Sequence, residues 1–181
     1  MKKLKKDSAN ILNIISRYLV LVLASLQGLW LFYFIFTSLT IYPVYFLTNL
    51  LFEDVSLFGE VMIVNGVAVE FIRACIAGSA YYLLLILNLS TPKINLKKRI
   101  LMISISFAAL LVINIIRIFL LILIFFYGFA FFDITHKFFW YFMSTIFVIA
   151  IWFAEVKYFK IKEIPFYSDM KYLYKRIFLK K

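Results

Sequence analysis

The chain has 181 residues, of which 65% are hydrophobic and 20% aromatic, and its mean hydropathy is +0.98. These values exclude an ordinary soluble domain and predict one multi-pass membrane domain with no room for a second large one. The net charge of +11 is concentrated at the N-terminus, in "KINLKKR" and after residue 157, which indicates cytoplasmic basic loops and excludes a nucleic-acid partner.

The predicted fold is an all-α integral membrane protein, a bundle of about four or more transmembrane helices. The predicted spans cover residues 18–39, 75–91, 100–128 and 138–156, and a basic cytoplasmic tail covers 157–181. The protein is expected in the cell membrane, where four crossings place both termini on the cytoplasmic side. At 1.5 Å per residue the third run extends about 43 Å, more than one hydrocarbon core of about 30 Å. We therefore expect that helix to protrude outward or to kink.

A β-hairpin is predicted just before the second span, in residues 61–72. Two short β-branched runs flank Asn65-Gly66, which is the strongest short-range signal for a two-residue turn. The preceding residues 40–60 carry three acidic side chains and no lysine or arginine. The hairpin is therefore expected on the extracytoplasmic side.

Three chemically distinctive residues lie at one predicted depth. Measured at 1.5 Å per residue from the cytoplasmic ends of their spans, Cys75, Arg117 and His136 lie about 26, 27 and 31 Å away. Asn114 precedes Arg117 by three residues and so shares its helical face. The spacing predicts that a thiol, a guanidinium and an imidazole meet where the lipid ends on the extracytoplasmic side.

Such a trio can perform nucleophilic catalysis. A thiolate at Cys75 attacks a carbonyl, His136 serves as general base and acid, and Arg117 stabilises the oxyanion or positions the substrate. Arg73 favours the thiolate if it lies close, and Asp133 is placed to orient the imidazole of His136.

Each residue also has a purely structural interpretation. Cys75 can be a packing residue of an apolar helix, His136 a solvated or capping side chain, and Asp133 a helix cap. Arg117 can extend its guanidinium to the outer interface. A single cysteine excludes an internal disulfide and an all-cysteine metal site, and the sequence predicts no metal or cofactor site.

The order of these residues resembles that of the exosortase/archaeosortase family of membrane transpeptidases. The resemblance rests on "RACIAG" with Cys75, on "NIIR" with Asn114 and Arg117, and on "DITHKFF" with His136. It covers roughly residues 55 to 155, and the short chain is similar to the compact archaeal-type archaeosortases. Ala77 stands where the family usually has glycine two residues after the cysteine.

The resemblance implies processing of exported proteins that end in a short motif, a membrane helix and a basic tail. The cysteine would cleave just outside the substrate's helix through a thioester, and an amine, such as one on a membrane lipid, would resolve it. The active site would face the extracytoplasmic side.

Two rival functions come from other classes. A small-molecule uptake subunit would use Arg117 to bind an anionic ligand and would not depend on Cys75. A non-catalytic membrane protein would need neither side chain.

Overall fold

The computed structural model describes residues 2–128 and 144–178, with side chains described for 10–26, 28–128 and 144–176. The elements are, in chain order, α1 Lys2–Asn49, β1 Val55–Phe58, β2 Val61–Val64, β3 Val67–Glu70, α2 Arg73–Ile76, α3 Gly78–Leu89, α4 Leu96–Phe126, α5 Ser144–Tyr158 and α6 Tyr167–Phe178. Helices dominate the described chain, as the composition predicts.

Within residues 2–128 and 144–178, two helical segments are long and apolar enough to cross a membrane, Gly28–Asn49 and Leu96–Phe126. Asn10–Leu26 and Arg73–Leu89 are shorter apolar helices. Large apolar side chains such as Phe34, Val112 and Leu120 point outward from the two long segments, which is the arrangement expected where lipid surrounds a helix. Residues 100–126 of the third predicted span lie on one continuous helix, α4, which has 31 residues.

The first helix extends beyond the predicted span 18–39 at both ends. Its path is interrupted at Gly28 and Leu29, which both have φ of 64°. This left-handed conformation is costly for Leu29 because its Cβ crowds the following carbonyl oxygen. The interruption divides α1 into the two apolar segments, 10–26 and 28–49, and the predicted span straddles it.

The predicted hairpin is present and is part of a larger sheet. β2 and β3 pair antiparallel with Val64 opposite Val67, and the turn residues Asn65 and Gly66 have φ of 46° and 79°. Positive φ at both positions is typical of a type I′ turn. A third strand, which was not predicted, pairs with the other side of β2: this is β1. A third strand stabilises a hairpin that would be marginal alone.

The core lies where α1, α3, α4 and α5 pack together. Phe36 stacks on Tyr81 with ring centroids 3.6 Å apart, and Phe107 meets both rings edge-on. Met62 and Val64 of β2 are fully buried and belong to the same cluster. The sheet is therefore anchored on the helices and holds the chain immediately before Cys75 in a defined position.

Candidate active site

The cysteine lies on a single helical turn between the sheet and a long helix. β3 ends at Glu70, and α2 occupies only Arg73–Ile76. The amide of Cys75 donates to the carbonyl of Ile72 at 2.8 Å, which closes this turn. The chain then changes direction at Ala77, where φ is 59° and ψ is 37°. Cys75 thus lies at a bend, where its side chain borders a cavity instead of packing along a continuous helix.

Ala77 adopts a conformation that favours glycine. A left-handed backbone costs a residue with a Cβ roughly 1–2 kcal/mol. The carbonyl of Ala77 nevertheless accepts from the amides of Ala80 and Tyr81, at 2.9 and 3.3 Å, and so starts α3. The packing around this bend outweighs the local strain.

We expect Ala77→Gly to raise the free energy of unfolding by about 1 kcal/mol, because it relieves this strain. Ala77→Val should lower it by about 2 kcal/mol, since a branched Cβ tolerates the left-handed region least. Ala80→Gly is the matched control, because Ala80 is equally buried but lies inside α3, where glycine costs about 1 kcal/mol. Thermal unfolding in detergent measures all three. Equal losses for both glycine variants would contradict the left-handed assignment.

Helix α1 contributes an aromatic wall beside the bend. The ring of Tyr33 lies against Gly78 so closely that a Cβ on residue 78 would be 2.8 Å from the Cζ atom of Tyr33. The guanidinium of Arg73 lies over the same ring, 5.4 Å from its centroid, which is within the range of a cation–π interaction. The absence of a side chain at Gly78 therefore lets Tyr33 reach the site and position Arg73.

Helix α4 holds the main chain at the cysteine. The Nδ2 atom of Asn114 donates to the carbonyl of Cys75 at 2.8 Å. The Nη2 atom of Arg117 donates to the same carbonyl at 3.3 Å and to that of Ala74 at 3.4 Å. These carbonyls belong to the last turn before the bend, where no intrahelical amide remains to satisfy them. Asn114 and Arg117 thus stabilise the bend that carries the thiol.

The charge of Arg117 has no carboxylate partner within 2–128 and 144–178. Its Nη1 atom donates to the Oγ atom of Ser144 at 2.9 Å, and its other described contacts are neutral carbonyls. Its Nε atom is buried without a hydrogen-bond partner among the described residues, and the side chain is 8% exposed. An uncompensated buried charge costs several kcal/mol. An anion or a developing oxyanion in the neighbouring space would recover part of that cost.

That space is a cavity of about 450 Å³. Cys75 and Arg117 both line it, and so do Ala68 and Glu70 of β3. Its other lining residues include an apolar stretch of α4 and polar side chains from four other helices: Tyr33, Arg73, Ser79, Ile118, Leu121, Ile122, Phe125, Ser144 and Thr145. The volume is in the range of ligand-binding pockets, and the lining combines apolar with polar and charged side chains.

The structure brings together four of the predicted site residues, Cys75, Arg117, Asn114 and Arg73. Their arrangement differs in one respect from the expectation, because Asn114 and Arg117 bond to the main chain at Cys75. His136 and Asp133 lie outside the described residues, so their roles stay predictions.

Sequence reasoning missed Tyr33 and Ser144. Tyr33 lies in the first apolar helix, and nothing in its spacing distinguishes it from the other aromatic residues there. Ser144 had a weak signal, since it is a polar residue near the extracytoplasmic start of the predicted fourth span. Glu70, the last residue of β3, is exposed and also borders the cavity.

Among the described residues, no three His, Cys, Asp or Glu side chains cluster to hold a metal ion. Comparisons with protein-family models, with curated proteins and with solved structures find no match to this chain. A functional assignment therefore depends on the residues and geometry of the site itself.

Proposed function

We propose that the protein is a membrane-embedded cysteine transpeptidase that processes exported proteins, as the resemblance to the exosortase/archaeosortase family implies. The observation that carries the proposal is a cavity that Cys75, Arg117 and the edge strand β3 all line, where Arg117 has no carboxylate partner among the described residues. A nucleophile, a cation that can stabilise an oxyanion and an edge strand that can bind an extended peptide are together suited to peptide acyl transfer.

The proposed reaction proceeds through a thioester. His136 takes the proton of the Cys75 thiol, and the sulfur attacks the carbonyl carbon of the substrate. Arg117 stabilises the negative charge that forms on the carbonyl oxygen. As the C–N bond breaks, His136 returns the proton to the leaving amine. An acceptor amine then attacks the thioester, forms a new amide and restores the thiol.

The proposed topology has four crossings, with both termini in the cytoplasm. It is supported by the distribution of charge, because the basic residues 93–99 and 157–176 lie at the opposite end of α4 from Arg117. Arg117 is 18 residues beyond Arg99 on one continuous helix, about 27 Å away. A substrate helix in the same bilayer would present the peptide just outside it at the level of Cys75.

The edge strand offers a way to bind that peptide. Residues that flank a two-residue turn form a hydrogen-bonded pair, so the alternation leaves the main-chain groups of Ala68 and Glu70 directed away from β2. Both residues border the cavity that holds Cys75. An extended substrate can therefore add to β3 as a fourth strand. This would bring the carbonyl group of the bond to be cleaved close to the thiol of Cys75.

We expect Ala68→Pro to reduce processing about tenfold or more, because it removes an edge amide that the substrate would use while leaving the pairing of β2 and β3 intact. Ala68→Val is the matched control, since it keeps the amide and favours a strand. The rate at which exported proteins lose their C-terminal helix measures the effect. Equal rates for both variants would contradict strand addition.

A covalent adduct tests the proposed chemistry directly. Detergent-solubilised membranes from cells that lack the protein contain its unprocessed substrates. Adding the purified protein should produce a species of joint mass that neutral hydroxylamine removes, because hydroxylamine cleaves thioesters. Cys75→Ala should give no such species. Absence of a hydroxylamine-sensitive adduct with the wild-type protein would refute the thioester mechanism.

A further inference from the structure

A second cavity, of about 540 Å³, lies at the opposite end of the bundle from Cys75. The N-terminal half of α1, the α3–α4 connection and α6 with the residues before it surround the cavity. Six cationic residues and two carboxylates line it: Arg17, Lys93, Arg99, Lys162, Lys171 and Lys175, with Glu163 and Asp169. The lining therefore has a strong excess of positive charge.

Two of these cations are buried side by side. Arg17 and Arg99 are 7% and 5% exposed, and both donate to the carbonyl of Leu89, at 2.8 and 2.9 Å. Arg17 also pairs with both carboxylate oxygens of Asp169, at 2.9 and 2.8 Å. Arg99 is satisfied by backbone carbonyls such as that of Thr91, at 2.8 Å. Asp169 thus pairs with Arg17, Arg99 has no carboxylate partner among the described residues, and an additional anion would balance the remaining charge.

The lysines around the cavity are also incompletely neutralised. Glu163 pairs with Lys93, and hydrogen bonds from Lys93 and Ser168 hold the pKa of that carboxyl below its usual range. Within the described ranges, no carboxylate pairs with Lys162, Lys171 or Lys175. The Nζ atom of Lys171 lies over the ring of Tyr167, 5.8 Å from its centroid, and all three lysines line the cavity.

The lining also includes Tyr172, whose hydroxyl group is available to donate a hydrogen bond. The Oη atom of Tyr172 is buried and has no hydrogen-bond partner among residues 2–128 and 144–178, and Tyr172 borders the cavity. A buried polar group without a partner costs about 1–3 kcal/mol. A phosphate oxygen would accept from this hydroxyl and from the cations at the same time.

The surroundings of the cavity favour a lipid over a soluble anion. Large apolar side chains on and before α6 are exposed next to it: Ile164, Phe166, Tyr167, Met170 and Tyr174. An amphipathic helix of this kind lies in the plane of a membrane interface with its apolar side among acyl chains. We propose that this cavity binds the phosphate headgroup of an anionic phospholipid in the leaflet opposite to Cys75.

Binding of phosphatidylglycerol tests the proposal. The purified protein in detergent micelles is titrated with phosphatidylglycerol and, as the comparison without net charge, with phosphatidylcholine. The double variant Lys171→Gln/Lys175→Gln should bind phosphatidylglycerol about thirtyfold more weakly, because each lysine near the headgroup contributes about one kcal/mol. Tyr172→Phe, which removes only the hydroxyl, should weaken binding about threefold to tenfold.

Lys97→Gln/Lys157→Gln is the matched control, since both lysines are exposed, lie near the same end and do not line the cavity. It should retain near wild-type affinity. An equal loss in the control would overturn the proposal in favour of diffuse surface attraction. Displacement of the lipid by inorganic phosphate at equal concentration would overturn the lipid as the source of the anion. These measurements do not involve Cys75, so their outcome is independent of the transpeptidase proposal.

Discussion

We expect Cys75→Ala to abolish processing, so that exported substrates keep their C-terminal helix and basic tail. The chain contains one cysteine, and no second thiol can replace it as the nucleophile. Cys75→Ser should lower the rate by at least about a thousandfold, because a hydroxyl is a much weaker nucleophile than a thiolate at neutral pH. Intact-mass analysis of exported proteins from cells with each variant measures the retained segment.

Both cysteine variants should fold. The side chain is small and partly exposed, so each change should alter the free energy of unfolding by about 1 kcal/mol or less. The thermal midpoint in detergent is the control for folding. Unimpaired processing with Cys75→Ala would rule out the proposed mechanism, whatever the fate of the other site residues.

The second large effect concerns Arg117. We expect Arg117→Gln to lower processing about a hundredfold to a thousandfold, the loss typical of removing one group that stabilises an oxyanion. Arg117→Lys keeps the charge, but one ammonium cannot reach Ser144 and the carbonyl of Cys75 as a planar guanidinium does. It should retain part of the activity that the glutamine variant loses.

Two matched variants separate the charge of Arg117 from its structural contacts. Ser144→Ala removes the partner of Nη1, and Asn114→Ala removes the other bond to the carbonyl of Cys75. Each should cost about 1–3 kcal/mol of stability and reduce processing less than Arg117→Gln does. If all three variants lose activity in proportion to stability, Arg117 has a structural role alone.

The same variants distinguish the transpeptidase from a small-molecule uptake subunit. A subunit that binds an anionic small molecule depends on Arg117 and tolerates Cys75→Ala. The transpeptidase depends on both residues. A radiolabelled-uptake defect in the Arg117 variant, together with normal processing in the cysteine variant, would establish the rival function.

Several features were predictable because they depend on neighbours in the chain. The Asn65-Gly66 turn follows from the positive φ that both positions of a type I′ turn require. The shared face of Asn114 and Arg117 follows from helical periodicity. The apolar length of α4 follows from its hydropathy, and the helix covers most of the predicted run 100–128.

The tertiary structure decided which of these features meet. Helical spacing indicates a face and a depth but not the partner, so the contacts of Arg117 with Ser144 and with the turn at Cys75 were not predictable. The hydrogen bond between Arg17 and Asp169 joins residues 152 positions apart. The packing of the Tyr33 ring against Gly78 joins two separate helices. Such contacts depend on how whole helices pack. The sequence by itself determined where the thiol and the cation lie along their helices; only packing determined that they face one cavity, because no local rule links a residue to a neighbour on another helix.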